Sequence, residues 1–447
     1  MFLSSLGCKL NQAEVDAIAR QFVARGHQVV GSLAEADLHV VNSCTVTHQA
    51  TRDSRKAARR ASRQRRGLLT VLTGCYATAE SSDATALAGV DLVVGNGDKD
   101  RLVELVARTF PEWAASDGAA GEGLARGGLL HSDSAGSPRV GDAPDTVPVS
   151  YVPLEFGTAR ALVKVEDGCG MRCAFCIIPR TRGAQRSRPL REIVTEVRKL
   201  EAAGHREIVV TGVQISAYRD GRARLPELLD AALAATTDCR FRLTSIAPWD
   251  VPAGLLERLE HPRVCRHVHL SLQSGDDRVL RRMRRPYTTA AYASVVERIR
   301  RRVPGVAITT DVIVGFPGES DAEFESSLRF VEEMRFARVH AFTYSARPGT
   351  EAAALPDAVP PGRKRERMSR LLEVAASAED AFRTLHLGSR ARVLWEIERG
   401  EVWIGTTDNY LRAFVTGEDA LRGRVTAVTL RALVPGGLAA TMAAGLG

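Results

Sequence analysis

The chain has 447 residues, 45% hydrophobic and 26% charged, with a mean hydropathy of −0.11; that length exceeds one ordinary core and points to about two to four domains. No apolar run approaches the roughly 18 residues of a membrane span, and "MFLSSLGCKLNQAE" lacks the basic and long apolar regions of a secretory leader, so a cytoplasmic protein with no membrane partner is expected. Thiols stay reduced there, so the eight cysteines read as metal ligands or reactive groups rather than disulfides, and the net charge of +8 suits a polyanion such as RNA without requiring one.

In chain order, "FLSSLGC", "ADLHVVNSC", "GLLTVLTGC" and "VDLVVGN" read as strands, with helical stretches at 11–25 and 48–66 between them. This βαβα pattern predicts a parallel sheet over 1–111. Three of the strands run straight into a cysteine: Cys8, Cys44 and Cys75. The carboxyl ends of parallel strands share one edge, where ligands bind, so these three are expected to be neighbours in space. Residues 112–150, rich in Gly, Ala, Ser, Asp and Pro, read as a flexible linker or insertion. A second α/β pattern occupies 151–386, with strands at 160–166, 206–211, 240–245, 266–272, 306–314 and 336–344. Six such repeats predict a partial, TIM-like (βα)6 barrel. From 387 to 447, "ARVLWEI", "EVWIGTT", "LRAFVTG" and "GRVTAVTL" predict a small β-barrel.

The first barrel strand runs into "DGCGMRCAFCIIPRTRG", with Cys169, Cys173 and Cys176 spaced CxxxCxxC. Thiolates this close hold zinc or an iron–sulfur cluster, and structural zinc normally takes four protein ligands. The motif and its setting resemble the radical S-adenosylmethionine (SAM) superfamily. The resemblance implies that these three cysteines hold a 4Fe–4S cluster whose open iron binds SAM, and that SAM is cleaved to a radical. It also implies SAM contacts from "VVTGVQI" (Gly212, Gln214), "HLSLQSG" (Ser271, Gln273) and "DVIVGFPGE" (Asp311, Gly315).

Free cysteines are also common core residues, which is the plainer account of Cys8, Cys44 and Cys75. Three at one sheet edge, in a chain that already has a cluster motif, suggest a second cluster instead. This combination is similar to the methylthiotransferase family, which carries a three-cysteine auxiliary cluster, a radical SAM barrel and a terminal TRAM barrel. The resemblance implies two 4Fe–4S clusters and SAM as cofactors. It further implies a sulfur source, an electron donor such as flavodoxin or ferredoxin, and delivery of a methylthio group to an unactivated carbon. Cys239 and Cys265 match no family ligand and read as buried thiols.

Within that family, "GCKLNQAE", "YSARPGTEAA" and "GTTDNYLRAFV" (with Asn409 and Tyr410) resemble the group acting on N6-threonylcarbamoyladenosine beside the tRNA anticodon (position 37), at C2 of the base. Isopentenylated adenosine and a ribosomal-protein aspartate are the alternatives, and a non-catalytic iron–sulfur RNA-binding protein is the alternative of another class. Arg52, Arg55, Lys56, Arg59, Arg60 and Arg63 share one helical face, readable as a phosphate-contacting surface or simply a solvated one. "RVLRRMRRPY" (278–287) and "RKRERMSR" (363–370) invite the same two readings. From Arg390 onward seven Lys/Arg meet six Asp/Glu, so charge does not mark the last domain as RNA-binding. Tyr410, Trp395 and Trp403 are its possible stacking residues, the tryptophans reading better as core. Many family members carry an acid after "RG" where this chain has Ala184 and Gln185; Arg182 and Arg188 remain there, readable either as contacts to the SAM carboxylate or substrate or as a surface loop pair.

Overall fold

The computed structural model describes residues 1–64, 67–114, 128–129, 159–252, 254–417 and 420–443. Most of 112–150, read as a linker, lies outside the described residues. The chain groups into two compact units: Met1–Gly157 with Gly168–Gly170 and Cys176–Arg188, and Thr158–Asp167 with Met171–Phe175 and Pro189–Gly447.

In the first unit, β1 (Phe2–Ser5), β2 (Leu38–Ser43), β3 (Leu69–Gly74), β4 (Leu92–Val94) and β5 (Gly128–Leu129) form one parallel sheet in that order. Helices Lys9–Val23 and His48–Gln64 make the crossovers, within two residues of the expected spans. Alternate strand residues feed two cores, as a sheet covered on both faces requires. Val40, Val71 and Leu92 pack with Phe22 and Leu102, while Val41, Leu72 and Val93 pack with Ala58 and Tyr76.

Further along come β6 (Arg160–Lys164), β7 (Glu166–Asp167), β8 (Arg186–Ser187), β9 (Glu207–Thr211), β10 (Arg240–Leu243), β11 (Ser245–Ile246), β12 (His267–Leu270), β13 (Ala307–Val314) and β14 (Arg338–Thr343). In the second unit β6, β9 and β10 form one parallel sheet, and β11 to β14 another. β10 and β11 are separated only by Thr244, so six strand paths run parallel in chain order, as the (βα)6 reading requires. The helices between them are capped locally: Ser320 and Glu323 form a capping box at Asp321–Met334.

Glu323 is also bound by Arg282, Nη2 to Oε2 at 2.8 Å, and this hydrogen bond outweighs the burial penalty to bring its carboxyl down from 4.5 to about 2. A carboxylate lowered this way adds stability that is complete above about pH 4.5 and is lost as pH falls through about 2. Urea unfolding of wild type and Glu323→Gln should therefore differ near neutral pH and converge as the pH approaches about 2. A gap independent of pH would exclude the ion pair as its cause.

The last segment forms a closed barrel of β15 (Arg390–Arg399), β16 (Val402–Thr407), β17 (Arg412–Thr416), β18 (Val425–Val434) and β19 (Gly437–Met442), ordered β15-β16-β17-β19-β18. Trp395 and Trp403 are in its core. The sequence reading named four strands and missed β19, "GLAATM", which is poor in β-branched and aromatic residues. Pairing with β17 and β18 makes it a strand.

Within the second unit, an ionic cluster joins this barrel to the starts of the parallel strands. Arg160, Glu207 and Arg240 lie in one register row across β6, β9 and β10. Glu207 is wholly buried and accepts from Arg240 Nε at 2.6 Å and Arg242 Nε at 2.7 Å. The two guanidinium groups then donate to the carbonyls of Arg392, Thr406, Thr407 and Asp408, and Arg160 pairs with Glu396. Burial opposes charge on Glu207, but the arginines prevail and hold its carboxyl far below the usual range.

Candidate active site

The three N-terminal cysteines follow from strand register. Ser5 pairs with Asn42, and Ser43 with Gly74, so Cys44 and Cys75 each follow directly on a paired residue. Cys8 caps helix Lys9–Val23, and Cys75 opens the helix Cys75–Ala79. Gly7 and Gly74 take positive φ, +95° and +101°, which an L side chain resists. A Cβ on Gly7 would stand 2.6 Å from the Cys44 sulfur, and one on Gly74 would strike the Ser43 carbonyl. Cys44 and Cys75 are buried while Cys8 is solvent-accessible. Burial raises the Cys44 thiol to about 11, with the Cys75 and Cys8 thiols adding to the rise. Burial likewise raises the Cys8 thiol despite that accessibility, because protein surrounds it closely, and Arg182 is the first influence pulling it back.

Behind these thiols lies a buried polar cluster. Glu14 accepts from Lys99 Nζ at 2.7 Å and from Arg182 Nη1 at 2.8 Å, and Lys99 also donates to Asn42 Oδ1 at 3.1 Å. Asn11 accepts from Arg182 Nη2 at 2.6 Å, and the Cys8 sulfur is 3.9 Å from the same oxygen. Asn11 and Glu14 are the buried polar residues of "GCKLNQAE" that meet these partners, so that motif builds the floor of the cysteine site. Arg182, read above as a SAM or substrate contact, is buried against Glu14 and Asn11. Its sequence neighbours Ala184 and Gln185 gave no sign of this partnership, which joins residues 168 positions apart.

Cys169, Cys173 and Cys176 are partly exposed on the loop after β7. The Cys169 N–H donates to the Gly183 carbonyl at 3.1 Å, and Gly168, at φ +75°, has no room for a Cβ against Ala184. Ala174 is held at both ends: its N–H donates to Met283 O at 3.0 Å, and its carbonyl accepts from Ala352 at 2.8 Å. Arg285 Nη1 donates to the Cys173 sulfur at 3.3 Å and Nη2 to the Ser271 carbonyl at 3.1 Å. The guanidinium carbon lies 4.6 Å above the Trp249 ring, which stacks on Tyr287.

The expected SAM contacts fall just past strand ends of the second unit, apart from Asp311 within β13, and several are already engaged. Glu166 Oε2 accepts from the Gln214 N–H at 2.8 Å, and a Cβ on Gly212 would meet that oxygen at 2.6 Å. Gln273, at φ +70°, exchanges backbone hydrogen bonds with Asp311 and Ile313. Asp311 Oδ2 is 3.1 Å from His269 Nε2 and 3.3 Å from Ser271 Oγ. Burial would raise the Asp311 carboxyl, but the hydrogen bond with His269 leads the effects that bring it below its usual value. Gly315, at φ +73°, lies under the Lys364 side chain, and its N–H donates to Glu319. His269 was not singled out in the sequence; the alternation His267, His269, Ser271 along β12 and just past it was the available signal.

Other assignments shift. Tyr410 stacks on His267 with ring centroids 4.2 Å apart, and Arg242 lies over its ring, so it packs instead of presenting a free face. Of the basic helical face, Arg52, Lys56, Arg59 and Arg60 are exposed, while Arg55 binds Tyr76, Glu80 and Asp83; the Arg63 side chain lies outside the described residues. Arg282, Arg285, Arg367 and Arg370 of the two other basic runs hold internal partners. Cys239 and Cys265 are buried thiols, raised by burial to about 12 and about 11. A cavity of about 600 Å³ beside Val296, Arg300 and Met334 contains none of the residues above.

Among the described residues no three His, Cys, Asp or Glu side chains converge on a single metal ion. A cubane cluster takes one thiolate per iron, so its ligands stand further apart than those of one ion. Each site offers three thiols, a soft donor set that fits an iron–sulfur cluster.

The parallel-strand domain with its three-cysteine loop is that of a radical SAM enzyme: residues 163–331 match the model of the Radical SAM superfamily. Residues 1–95 match Uncharacterized protein family UPF0004. The chain is 32% identical over 437 residues to "Threonylcarbamoyladenosine tRNA methylthiotransferase MtaB" of Bacillus subtilis, covering 95% of this chain and 92% of that one. It is 31% identical over 457 residues to "tRNA-2-methylthio-N(6)-dimethylallyladenosine synthase" of Chlorobium phaeobacteroides, covering 99% and 97%. The chain therefore belongs to the radical SAM methylthiotransferase family. A solved radical SAM methyltransferase, TsrM of Kitasatospora setae with cobalamin and a 4Fe–4S cluster bound, shares the fold: TM-score 0.51, 20% identity, 72% of this chain and 67% of that one. Among the described residues no helix is long and apolar enough to cross a membrane.

Proposed function

We propose that this enzyme adds a methylthio group to C2 of N6-threonylcarbamoyladenosine at position 37 of tRNA, using two 4Fe–4S clusters and SAM. The observation that carries the reading is that Cys8, Cys44 and Cys75 follow neighbouring parallel strands at one sheet edge, in a chain whose three-cysteine loop follows a strand of the radical SAM domain. Cys169, Cys173 and Cys176 would hold the SAM-binding cluster, and Cys8, Cys44 and Cys75 the auxiliary one. When bound, these groups supply the radical and the sulfur that an unactivated aromatic carbon requires. The chain's own contribution is to fix the thiols on rigid strand ends and to hold Cys173 through Arg285. Arg52, Lys56, Arg59 and Arg60 offer an exposed cationic helix face for tRNA phosphates.

Arg285→Met should weaken iron retention at the Cys169–Cys176 loop by about 10–100-fold, as loss of a ligand-supporting partner commonly does. Iron content and 5′-deoxyadenosine formation measure it. An unchanged iron content and cleavage rate would remove Arg285 from the site.

The threonylcarbamoyl assignment rests on "GCKLNQAE" and on relatives of that name at 32 to 35% identity. Relatives named for dimethylallyladenosine are 31 to 37% identical, so that base is the second reading. The deciding experiment is anaerobic reconstitution with iron, sulfide, SAM and a reductant, on tRNA that carries both hypomodified bases. Nucleoside mass spectrometry should find the methylthio group on the threonylcarbamoylated base. Its appearance only on the isopentenylated base would overturn the substrate assignment.

A further inference from the structure

We propose that Lys99 and Glu14 tune, with opposite sign, the reduction potential of the cluster assigned to Cys8, Cys44 and Cys75; the inference rests on that assignment. Both side chains are removed from water, at 3% and 4% exposure, and their charges meet at 2.7 Å. Lys99 is further fixed by Asn42, two residues before Cys44, and Glu14 stands on the helix that Cys8 caps. The polar cluster reaches the thiols by contact: Arg182, bound to Glu14, also holds Asn11 Oδ1, which lies 3.9 Å from the Cys8 sulfur.

Arg182 binds the same carboxylate, so three ions are desolvated here, and packed apolar side chains would fill the space without that cost. What the ions do supply is field. In a surrounding of low polarity, each charge changes the ease of adding an electron to an anionic group on the three thiols. Lys99 favours reduction and Glu14 opposes it. The arrangement also explains why "GCKLNQAE" includes an acid at a position whose side chain never reaches solvent.

The test uses the full chain with Cys169, Cys173 and Cys176 replaced by alanine, reconstituted with iron and sulfide, so that only the auxiliary cluster is present. Its midpoint is read by potentiometric titration monitored by electron paramagnetic resonance. Lys99→Met should lower the ratio of reduced to oxidised cluster at fixed potential by about tenfold, a shift of about 59 mV for one electron. Glu14→Gln should raise the ratio by a similar factor, and the double variant should return close to the starting value. Should Glu14→Gln alone fail to fold, the double variant compared with Lys99→Met gives the sign for Glu14. Absence of any shift, or shifts of one sign from both variants, would overturn the proposal, since altered packing or solvent entry would move both alike. Failure of the triple-alanine chain to retain iron would refute the cluster assignment instead.

Discussion

Cys8→Ala should abolish methylthio transfer while leaving SAM cleavage to 5′-deoxyadenosine intact. Cys8 stands at the N-terminal sheet edge with Cys44 and Cys75, whereas the loop proposed to generate the radical keeps its own three thiols at Cys169, Cys173 and Cys176. Losing one of three cluster ligands leaves an iron without protein support, so bound iron should fall by about half under the two-cluster reading. Cys239→Ala is the matched control. That thiol is fully buried, donates to the His205 carbonyl at 2.8 Å, and should affect neither iron content nor transfer. Transfer at the wild-type rate by the Cys8 variant would sink the auxiliary-site assignment.

Glu207→Gln should be the most destabilising single change outside the cysteine sites. The carboxylate is wholly buried between Arg240 and Arg242, and its removal leaves two desolvated guanidinium groups without their counter-ion. Breaking a buried ionic group from one side typically costs about 3–5 kcal/mol. Urea denaturation should show the loss as a lower midpoint, and an exposed pair such as Arg301–Glu297 should barely register when broken. A midpoint unchanged by Glu207→Gln would mean that carbonyl acceptors alone satisfy the arginines.

Strand positions were legible because alternating or continuous apolar runs end at turn residues, and that signal is local. The six barrel strands and the N-terminal sheet followed from it. The six cysteines stood out through spacing and through their place at strand ends. Partners were not legible, since a sequence shows charges without showing what they meet. Arg182 looked like a ligand contact and is spent on Glu14 and Asn11. Arg282, Arg367 and Arg370 were readable as an RNA surface or a solvated one and are bound to Glu323, Glu319 and Glu325. Tyr410 looked like a base-stacking residue, and its ring is occupied by His267. Glu207, Arg240 and Arg242 escaped notice because a charge at the start of a strand ordinarily faces water, and only the closing barrel takes these out of it.

The cluster around Glu207 also governs what can be exchanged between relatives. Arg240 and Arg242 reach four main-chain oxygens in the terminal barrel, at Arg392, Thr406, Thr407 and Asp408, and none of these contacts depends on which side chains that barrel carries. A terminal barrel borrowed from another family member therefore keeps these four hydrogen bonds as long as its backbone path is preserved, while the Arg160–Glu396 pair and the Tyr410 stack also require their side chains. A chain cut before Arg390, by contrast, would strip both arginines of those acceptors at once. Away from Glu396 and Tyr410 the last domain is free to diverge in sequence, while its loss would leave Arg240 and Arg242 without those oxygens.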